Sequence, residues 1–376
     1  MASSVLLLSA AGLFVGYLSQ LKYLNLGFGR DHVLLVVLDP ARSGYKRGQL
    51  ALPFRELMAR LESIPGVHSA SIMGASPIQG AGAGRIVSVE GYPQRPEERH
   101  RIAVNWVAPK YFETLGIPLL AGRDFTFQDE QRARVLIVNQ SFARHYFAAD
   151  SPIGRHVTVD GDAKAYEIVC VVADAKYIEI RESPPRPMYF NMFQEGKIAS
   201  QFAMRTTGDP AAVASDVRRM VRESVKNVPI SRVLTLTDQV DASIVPERLI
   251  ATLSALFGAL GSLLAGIGVY GLLAYTVARR TNEIGIRMAP GATQRGIVRM
   301  VLRDALVTAG AGLALGVPLV YWCRGFAARL NPDLPVANAS PVIFAGVVML
   351  ALALLAAYLP ARRAARVDPM EALRHE

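Results

Sequence analysis

The sequence predicts a membrane protein with four transmembrane α-helices, one N-terminal and three C-terminal, and a large extracytoplasmic α+β domain of two subdomains. Three observations favour this fold class. The chain has 376 residues, of which 51% are hydrophobic and only 19% are charged. Its apolar residues are concentrated in long uncharged runs, and short segments of alternating polarity fill the region between these runs. Long uncharged runs are typical of membrane spans, whereas alternation is typical of strands with one buried face.

Three uncharged runs in the C-terminal part of the chain predict three membrane-spanning helices. Residues 249–278 carry no charged side chain over 30 positions, and a spanning helix needs only about 20 residues. Residues 305–323 and 341–359 are two further uncharged runs. The alternative is a set of buried helices in a soluble protein, but three runs of this length exceed what a soluble core uses.

The N-terminal residues 1–21 are also uncharged and predict a first transmembrane helix, which could be truncated at its start. No Lys or Arg precedes the apolar run, whereas a secretory signal peptide normally begins with basic residues. Two alternatives stay open. The segment could be a signal peptide cleaved near the small residues 9–12, or an apolar segment at the membrane periphery.

The net charge of +10 is distributed in a way that does not favour nucleic acid as a partner. Residues 22–248 carry 29 basic and 25 acidic side chains, which gives a mixed surface. Residues 279–304 carry six Arg against two acidic residues, and the C-terminal "ARRAAR" adds three Arg. Short basic loops next to spans are retained in the cytoplasm. We therefore predict that residues 279–304 and the C-terminal tail are cytoplasmic and that residues 22–240 lie outside.

The region 22–240 is predicted to be one extracytoplasmic core domain, because strand-like and helix-like segments alternate along it. Residues 182–190 are predicted to form a proline-stiffened loop and residues 74–85 a flexible loop. From Thr237 the pattern turns helical and runs into the span 249–278 without an obvious stop. The predicted strands are 33–39, 67–73, 85–92, 101–107, 134–140, 155–160, 166–174, 200–206 and 230–236, and the predicted helices are 47–64, 109–116, 140–147 and 209–225.

No motif for catalysis or metal binding occurs in the sequence. There is no GxxxxGK[ST] phosphate-binding loop, no HExxH and no CxxC pair. The uncharged spans contain no Asp, Glu, Lys, Arg or His, which weakens ion-coupled transport as an explanation. Cys170 and Cys323 lie in a strand-like run and at the end of a span, so a disulfide between them is not expected. We predict no catalytic residue, no metal site and no cofactor in this chain.

Small residues recur at intervals of four within two of the spans. The first span of the C-terminal group has Gly258, Ser262 and Gly266, and the second has Gly312 and Gly316. This spacing permits close approach between helices in a membrane. Packing among the spans of one chain and a dimer seam are both consistent with the pattern.

Several motifs give the chain a family resemblance. The segment "EIGIRMAPGA" at 283–292, the ending "YLPARRAARVDPMEALRHE" and "VNWVAPKYFETLGIPLLAGRDF" at 104–125 resemble the MacB/FtsX-like ABC transporter permeases. Within this family the chain is most similar to the second module of duplicated acidobacterial-type permeases of unknown substrate. It departs from the family pattern at Pro290, where an apolar residue such as Leu is usual.

The resemblance implies a four-span permease, with a MacB-like periplasmic core domain at 22–240 and an FtsX-like permease domain at 241–376. Its expected partners are a separate cytoplasmic ABC ATPase that binds ATP, a second permease copy or paired module, the lipid bilayer of the inner membrane and a periplasmic adaptor. The resemblance also implies that the loop 279–304 acts as a coupling helix on the ATPase. The residues that match the coupling motif are Glu283, Ile284, Gly285, Ile286, Arg287, Pro290, Gly291 and Ala292.

The resulting hypothesis is a non-catalytic permease subunit of an export or mechanotransmission complex. Glu283 and Arg287 are four residues apart, so they could pair on one helical face while Ile284 and Ile286 contact the partner. The alternative is an envelope interaction or signal-relay protein whose outer domain binds a periplasmic enzyme or adaptor. Such a protein would need no transported substrate.

Overall fold

The structure is a computed structural model that describes residues 1–45, 47–80, 82–93, 101–148, 150–162, 164–182, 185–225, 227–279, 294–330 and 338–364. It divides into two units. The membrane unit comprises Met1–Tyr23 and the chain from Ile244 onward, and the core domain comprises Leu24–Ser243.

The membrane unit contains four helices that are long and apolar enough to cross a bilayer, as predicted. All three C-terminal helices are longer than the uncharged runs that predicted them. Residues 294–304, which were predicted to belong to the cytoplasmic coupling loop, are helical and form the first turns of the helix Gln294–Leu330, where Val301 is buried. The four helices are α1 (Ala2–Lys22), α7 (Val245–Arg279), α8 (Gln294–Leu330) and α9 (Ser340–Ala364), where α2 to α6 belong to the core domain.

The described part of the core domain is built on a 12-stranded sheet with order β12-β1-β11-β2-β5-β10-β7-β9-β8-β4, with β3 added on β5 and β6 on β9. The strands are β1 (Val33–Leu38), β2 (Val67–Met73), β3 (Ala83–Arg85), β4 (Val87–Val89), β5 (Ile102–Val107), β6 (Leu119–Gly122), β7 (Val135–Asn139), β8 (His156–Val159), β9 (Tyr166–Val172), β10 (Met188–Asn191), β11 (Gln201–Thr206) and β12 (Ile230–Thr235). The helices are α2 (Ala51–Glu62), α3 (Tyr111–Leu115), α4 (Gln140–Phe147), α5 (Pro210–Ser224) and α6 (Leu236–Ser243).

Two hydrophobic cores divide this sheet into the two predicted subdomains. Helices α2 and α5 pack on one half of the sheet, where Phe54 and Val217 are fully buried. Helix α4 packs on the other half, with Phe142 in its core. The halves meet where β2 pairs with β5 through Met73 and Val107, and Trp106 packs against both cores. The second subdomain is inserted in the chain between β2 and β11.

The loop predicted over residues 182–190 is wrong at its end, because Met188–Asn191 forms the central strand β10. All four of its residues are buried, and it pairs in parallel with β5 and antiparallel with β7. Proline cannot donate to a sheet ladder but is tolerated at a strand start, and Pro187 immediately precedes β10. A four-residue strand that is buried on both faces shows no alternation, which is why the proline-rich segment looked like a loop.

The continuous helix predicted from Thr237 into the membrane is also wrong. Helix α6 ends at Ser243 and α7 begins at Val245, with Ile244 between them. Pro246 follows directly, and proline disfavours the helical conformation of the residue before it and supplies no backbone N–H. The chain therefore has a break at the point where it passes from the core domain to α7.

A partly buried carboxyl group, that of Asp124, gives the core domain a pH-dependent stability. Asp124 accepts hydrogen bonds from the backbone N–H groups of Lys110 (3.1 Å) and Phe125 (2.7 Å). Burial nevertheless raises the pKa of Asp124 to about 6, with smaller contributions in the same direction from the charges of Glu113 and Asp129. Between these two pKa values the folded state therefore keeps a proton on the Asp124 carboxyl group that the unfolded chain has lost. The resulting contribution to the free energy of unfolding is fully present below the ordinary pKa of 3.8 and is lost as the pH rises through 6.

We predict that Asp124→Asn flattens the pH dependence of stability between about pH 4 and 6, the window between the ordinary and the raised pKa of this carboxyl group. The measurement is the Tm of the purified full chain in detergent across this window. Asp160→Asn removes an exposed carboxylate of the same domain and is the matched control. A slope that stays the same in the Asp124→Asn variant would contradict the assignment.

Candidate functional site

The predicted coupling residues lie outside the described residues. These are Glu283, Ile284, Gly285, Ile286, Arg287, Pro290, Gly291 and Ala292. Helix α7 ends at Arg279 and α8 begins at Gln294, so the coupling segment connects these two helices along the chain.

Helix α1 packs against α7 through small residues at close range. A Cβ added at Gly258 would lie 3.5 Å from the carbonyl oxygen of Leu7, and one added at Gly261 would lie 3.1 Å from a methyl group of Leu7. Ser4 of α1 donates a hydrogen bond from its Oγ to the carbonyl oxygen of Gly261 at 2.8 Å. Small residues allow backbones to approach, and interhelical hydrogen bonds add to the attraction in lipid.

The same stripe continues along α7. Ser262 is buried and donates from its Oγ to the carbonyl oxygen of Gly258 at 2.6 Å, within its own helix. A Cβ added at Gly266 would lie 2.6 Å from a methyl group of Leu352 on α9. The interval of four therefore follows one face of α7, whose glycines approach α1 at Gly258 and α9 at Gly266.

The two predicted glycines of α8 also contact α1. A Cβ added at Gly312 would lie 2.7 Å from Cβ of Met1. One added at Gly316 would lie 3.1 Å from Cβ of Val5 and 3.3 Å from the backbone of Ala2. The described geometry thus brings the predicted glycines onto contacts between helices of one chain, while a role in a dimer seam stays a prediction.

A second stripe of small residues was missed in the sequence. On α9, Ala345, Ala353, Ala357 and Ala361 are all buried and recur at intervals of four or eight. Helix α9 packs against α1, α7 and α8. The interval of four was visible in the sequence, but alanine is so common in apolar runs that it did not stand out there.

The seam between α1 and α8 predicts the effect of enlarging Gly316. Gly316→Leu would force bulk against the backbone of Ala2, and overpacking of this kind costs about 1–3 kcal/mol. We expect a lower Tm for this variant in detergent. Gly310→Leu is the matched control, since it makes the same change on the same helix at a position with nothing within 4 Å. Equal Tm values for the two variants would contradict the seam.

In the core domain, helix α6 is held by side-chain hydrogen bonds to the loop after β2. Gln239 donates from Nε2 to Ser76 Oγ at 2.8 Å and to the carbonyl oxygen of Pro77 at 2.6 Å. Leu236 and Val240 of α6 are fully buried. Because the next helix begins at Val245, the chain leaves the core domain from a helix that is fixed within it.

The loop that receives α6 was predicted to be flexible, and its described residues 74–80 are hydrogen-bonded to other elements, while residues 83–85 at its end form the strand β3 and not a loop. Asn105 on β5 accepts from the backbone N–H of Ala75 and donates to its carbonyl oxygen, at 3.1 and 2.8 Å. The N–H of Ile78 donates to the carbonyl oxygen of Tyr177 at 2.8 Å. All these partners are distant in sequence, so the glycine-rich composition alone could not reveal them.

The segment that follows α1 is fixed within the core domain as well. The N–H of Gly29 donates to the carbonyl oxygen of Leu115 at 2.8 Å, and Arg205 donates from Nη2 to the carbonyl oxygen of Gly29 at 3.2 Å. Gly27 has a positive φ of 77° and would overlap the carbonyl group of Asp174 if it carried a Cβ. Only glycine fits there.

No group of three or more His, Cys, Asp or Glu side chains suited to a metal ion occurs among the described residues. The two cysteines are both free thiols. In the described residues, close-packed spans are continuous in the chain with hydrogen-bonded segments of a folded domain.

These features define a multi-pass membrane protein with a large α+β extracytoplasmic domain inserted between its first span and its other three. Comparison with known families gives the particular one. The MacB-like periplasmic core domain matches residues 5–242, and the FtsX-like permease C-terminal domain matches residues 255–369. The chain belongs to the MacB/FtsX-like ABC transporter permease family.

Individual relatives agree with this assignment. The chain is 28% identical over 297 residues to the macrolide export ATP-binding/permease protein MacB of Azoarcus sp. (strain BH72), covering 73% of this chain and 43% of that protein. It is 26% identical over 290 residues to the uncharacterized ABC transporter permease YknZ of Bacillus subtilis (strain 168), covering 74% and 72%. The chain thus spans less than half the length of this MacB relative.

Two solved structures are also similar. The periplasmic region of MacB from Actinobacillus actinomycetemcomitans covers 58% of this chain and 94% of its own, with a TM-score of 0.39 and 14% identity. The extracellular domain of YknZ from Gram-positive bacteria covers 53% and 100%, with a TM-score of 0.35 and 15% identity. The family assignment rests on the sequence matches.

Proposed function

We propose that this chain is the non-catalytic permease subunit of an ABC-type export or mechanotransmission complex of the inner membrane. A separate cytoplasmic ATPase binds and hydrolyses ATP, and the permease passes the resulting movement to the core domain. The observation that carries the proposal is the direct succession of α6 and α7, together with membership of the permease family.

The length of α7 supports transmission of movement along this helix. Its 35 residues span about 52 Å at 1.5 Å per residue, whereas the hydrocarbon core of a bilayer is about 30 Å thick. The helix is close-packed against α1 at Gly258 and leads into the fixed helix α6 after Ile244 alone. A displacement of α7 would therefore act on α6 across the single break at Ile244.

The proposed binding site for the ATPase is the coupling segment between α7 and α8. Glu283 and Arg287 would fix a short helix, and Ile284 and Ile286 would enter a groove on the ATPase. The excess of arginine over residues 279–304 supports a cytoplasmic position for this segment. Pro290 would shorten that helix relative to other family members.

The remaining partners are also proposals. A second permease would complete the assembly, either as another copy of this chain or as a paired module like those of the duplicated permeases. A periplasmic adaptor could bind the core domain. The family resemblance implies that the exported substrate would not need to cross the membrane core. The uncharged runs of the spans are consistent with this, because they contain no Asp, Glu, Lys, Arg or His that would line a polar path.

We predict that Arg287→Gln weakens the complex with the ATPase by about tenfold, which is 1.4 kcal/mol, because the variant loses both the intrahelical pair and a charge. The measurement is co-purification with an ABC ATPase encoded beside this chain, together with ATPase activity in nanodiscs. Glu283→Gln should have the same direction of effect.

Arg299→Gln is the matched control, since it removes the same charge from an exposed position of α8 outside the motif. Unchanged co-purification and ATP hydrolysis in both Arg287→Gln and Glu283→Gln would refute the coupling role.

A further inference from the structure

One arginine of the membrane unit is buried with most of its donors unused. The residue is Arg324 on α8, and it is only 7% exposed. Its Nη2 donates to the backbone carbonyl oxygen of Asn338 at 2.6 Å. Its Nε and Nη1 have no hydrogen-bond partner among the described residues. A guanidinium group has five N–H donors, and three of these belong to Nε and Nη1.

No carboxylate of the described chain neutralises this charge. A buried charge is costly unless it is paired and hydrogen-bonded. The contact to Asn338 supplies a neutral acceptor, and the ring of Tyr321 lies 5.9 Å from Cζ of Arg324, near the outer limit for a cation–π contact. An anionic group is therefore the missing partner of the guanidinium.

The position of Arg324 along α8 indicates where such a group would come from. Asp304 and Arg324 bound the uncharged run of this helix. They are 20 positions apart, or about 30 Å at 1.5 Å per residue, which equals the thickness of the hydrocarbon core. Arg324 therefore lies at the boundary between hydrocarbon and headgroups.

Neighbouring aromatic residues support the same depth. Tyr321 is 53% exposed and Trp322 is 73% exposed in the membrane unit. Tyr and Trp are enriched at the two membrane–water interfaces, where the headgroups lie. The phosphate groups of phospholipids are at this level, and arginine matches phosphate through several N–H donors at once.

We propose that Arg324 forms a binding site for the phosphate group of a phospholipid at the end of the membrane unit where α8 ends and α9 begins. Nε and Nη1 have almost no accessible surface, so the groups that cover them move aside when the phosphate oxygens accept from them, while Nη2 keeps its bond to Asn338. The bound lipid joins the two helix ends by pairing with the charge between them. This site does not depend on the coupling role proposed above.

The test uses the full chain, purified in detergent and stripped of lipid. Dioleoylphosphatidylglycerol is added back, and bound lipid is counted by native mass spectrometry while the Tm is recorded. We expect one retained lipid and a higher Tm. Dioleoylglycerol, which has the same acyl chains without phosphate, should produce neither effect.

Arg324→Gln should weaken lipid binding by about tenfold, estimated from the loss of one charge-assisted contact. Arg329→Gln removes the same charge from an exposed position of the same helix and should bind like the wild type. Arg324→Lys keeps the charge without the planar group and should be intermediate. The lysine variant also serves as the test if Arg324→Gln does not fold.

Three results would overturn the proposal. Equal phosphatidylglycerol binding by the wild type and Arg324→Gln, or by the wild type and the lysine variant if glutamine does not fold, would remove Arg324 from the site. An equal rise in Tm with inorganic phosphate alone would make free phosphate, and not lipid, the ligand. If Asp333→Asn abolished the lipid effect and lowered the Tm of stripped protein as much as Arg324→Gln, the partner would be a carboxylate of the chain itself.

Discussion

The close approach of α1 to α7 and α8 is the interaction on which the membrane unit depends. Lipid tails are as apolar as the side chains they replace, so helices in a bilayer gain little from burying apolar surface against one another. Association then requires tight packing and interhelical hydrogen bonds. Gly258 and Gly316 provide the space, and Ser4 provides a hydrogen bond to the backbone of α7.

In the core domain, contacts hold the two segments at which the chain enters and leaves the domain. The incoming segment is fixed at Gly27 and Gly29, and the outgoing helix α6 is fixed through Gln239. Both use hydrogen bonds to residues far along the chain. In a protein proposed to transmit movement, a loosely held segment after α1 or a loosely held α6 would move by itself, and the displacement of the spans would not reach the sheet.

Hydropathy and alternation predicted most of this fold because they act locally. The four spans follow from uncharged runs, and β2 was predicted with its observed bounds from the alternation of Val67–Met73. Strand β10 was missed because both of its faces are buried, and the fixed state of residues 74–80 was missed because its partners Asn105 and Gln239 are remote in sequence.

The candidate site also has parts that the sequence could predict and parts that it could not. Intervals of four identified the glycines of α7 and α8, whereas the coupling residues followed from family resemblance. The burial of Arg324 could not be predicted, because the helix was expected to end at Cys323 and a charge beyond a span usually faces water. The extension of α8 to Leu330 brings Arg324 into the helix.

The central claim is that the segment between α7 and α8 faces the cytoplasm while the core domain lies on the other side. Cysteine labelling tests this directly, in full-length chains with Cys170 and Cys323 replaced by Ser and one new cysteine each, Gln294→Cys, Lys164→Cys or Asn338→Cys. A membrane-impermeant maleimide should label the Lys164→Cys and Asn338→Cys chains on intact spheroplasts, and the Gln294→Cys chain only after permeabilisation. Labelling of Gln294→Cys from outside would contradict the account, because no cytoplasmic ATPase could then reach the coupling segment.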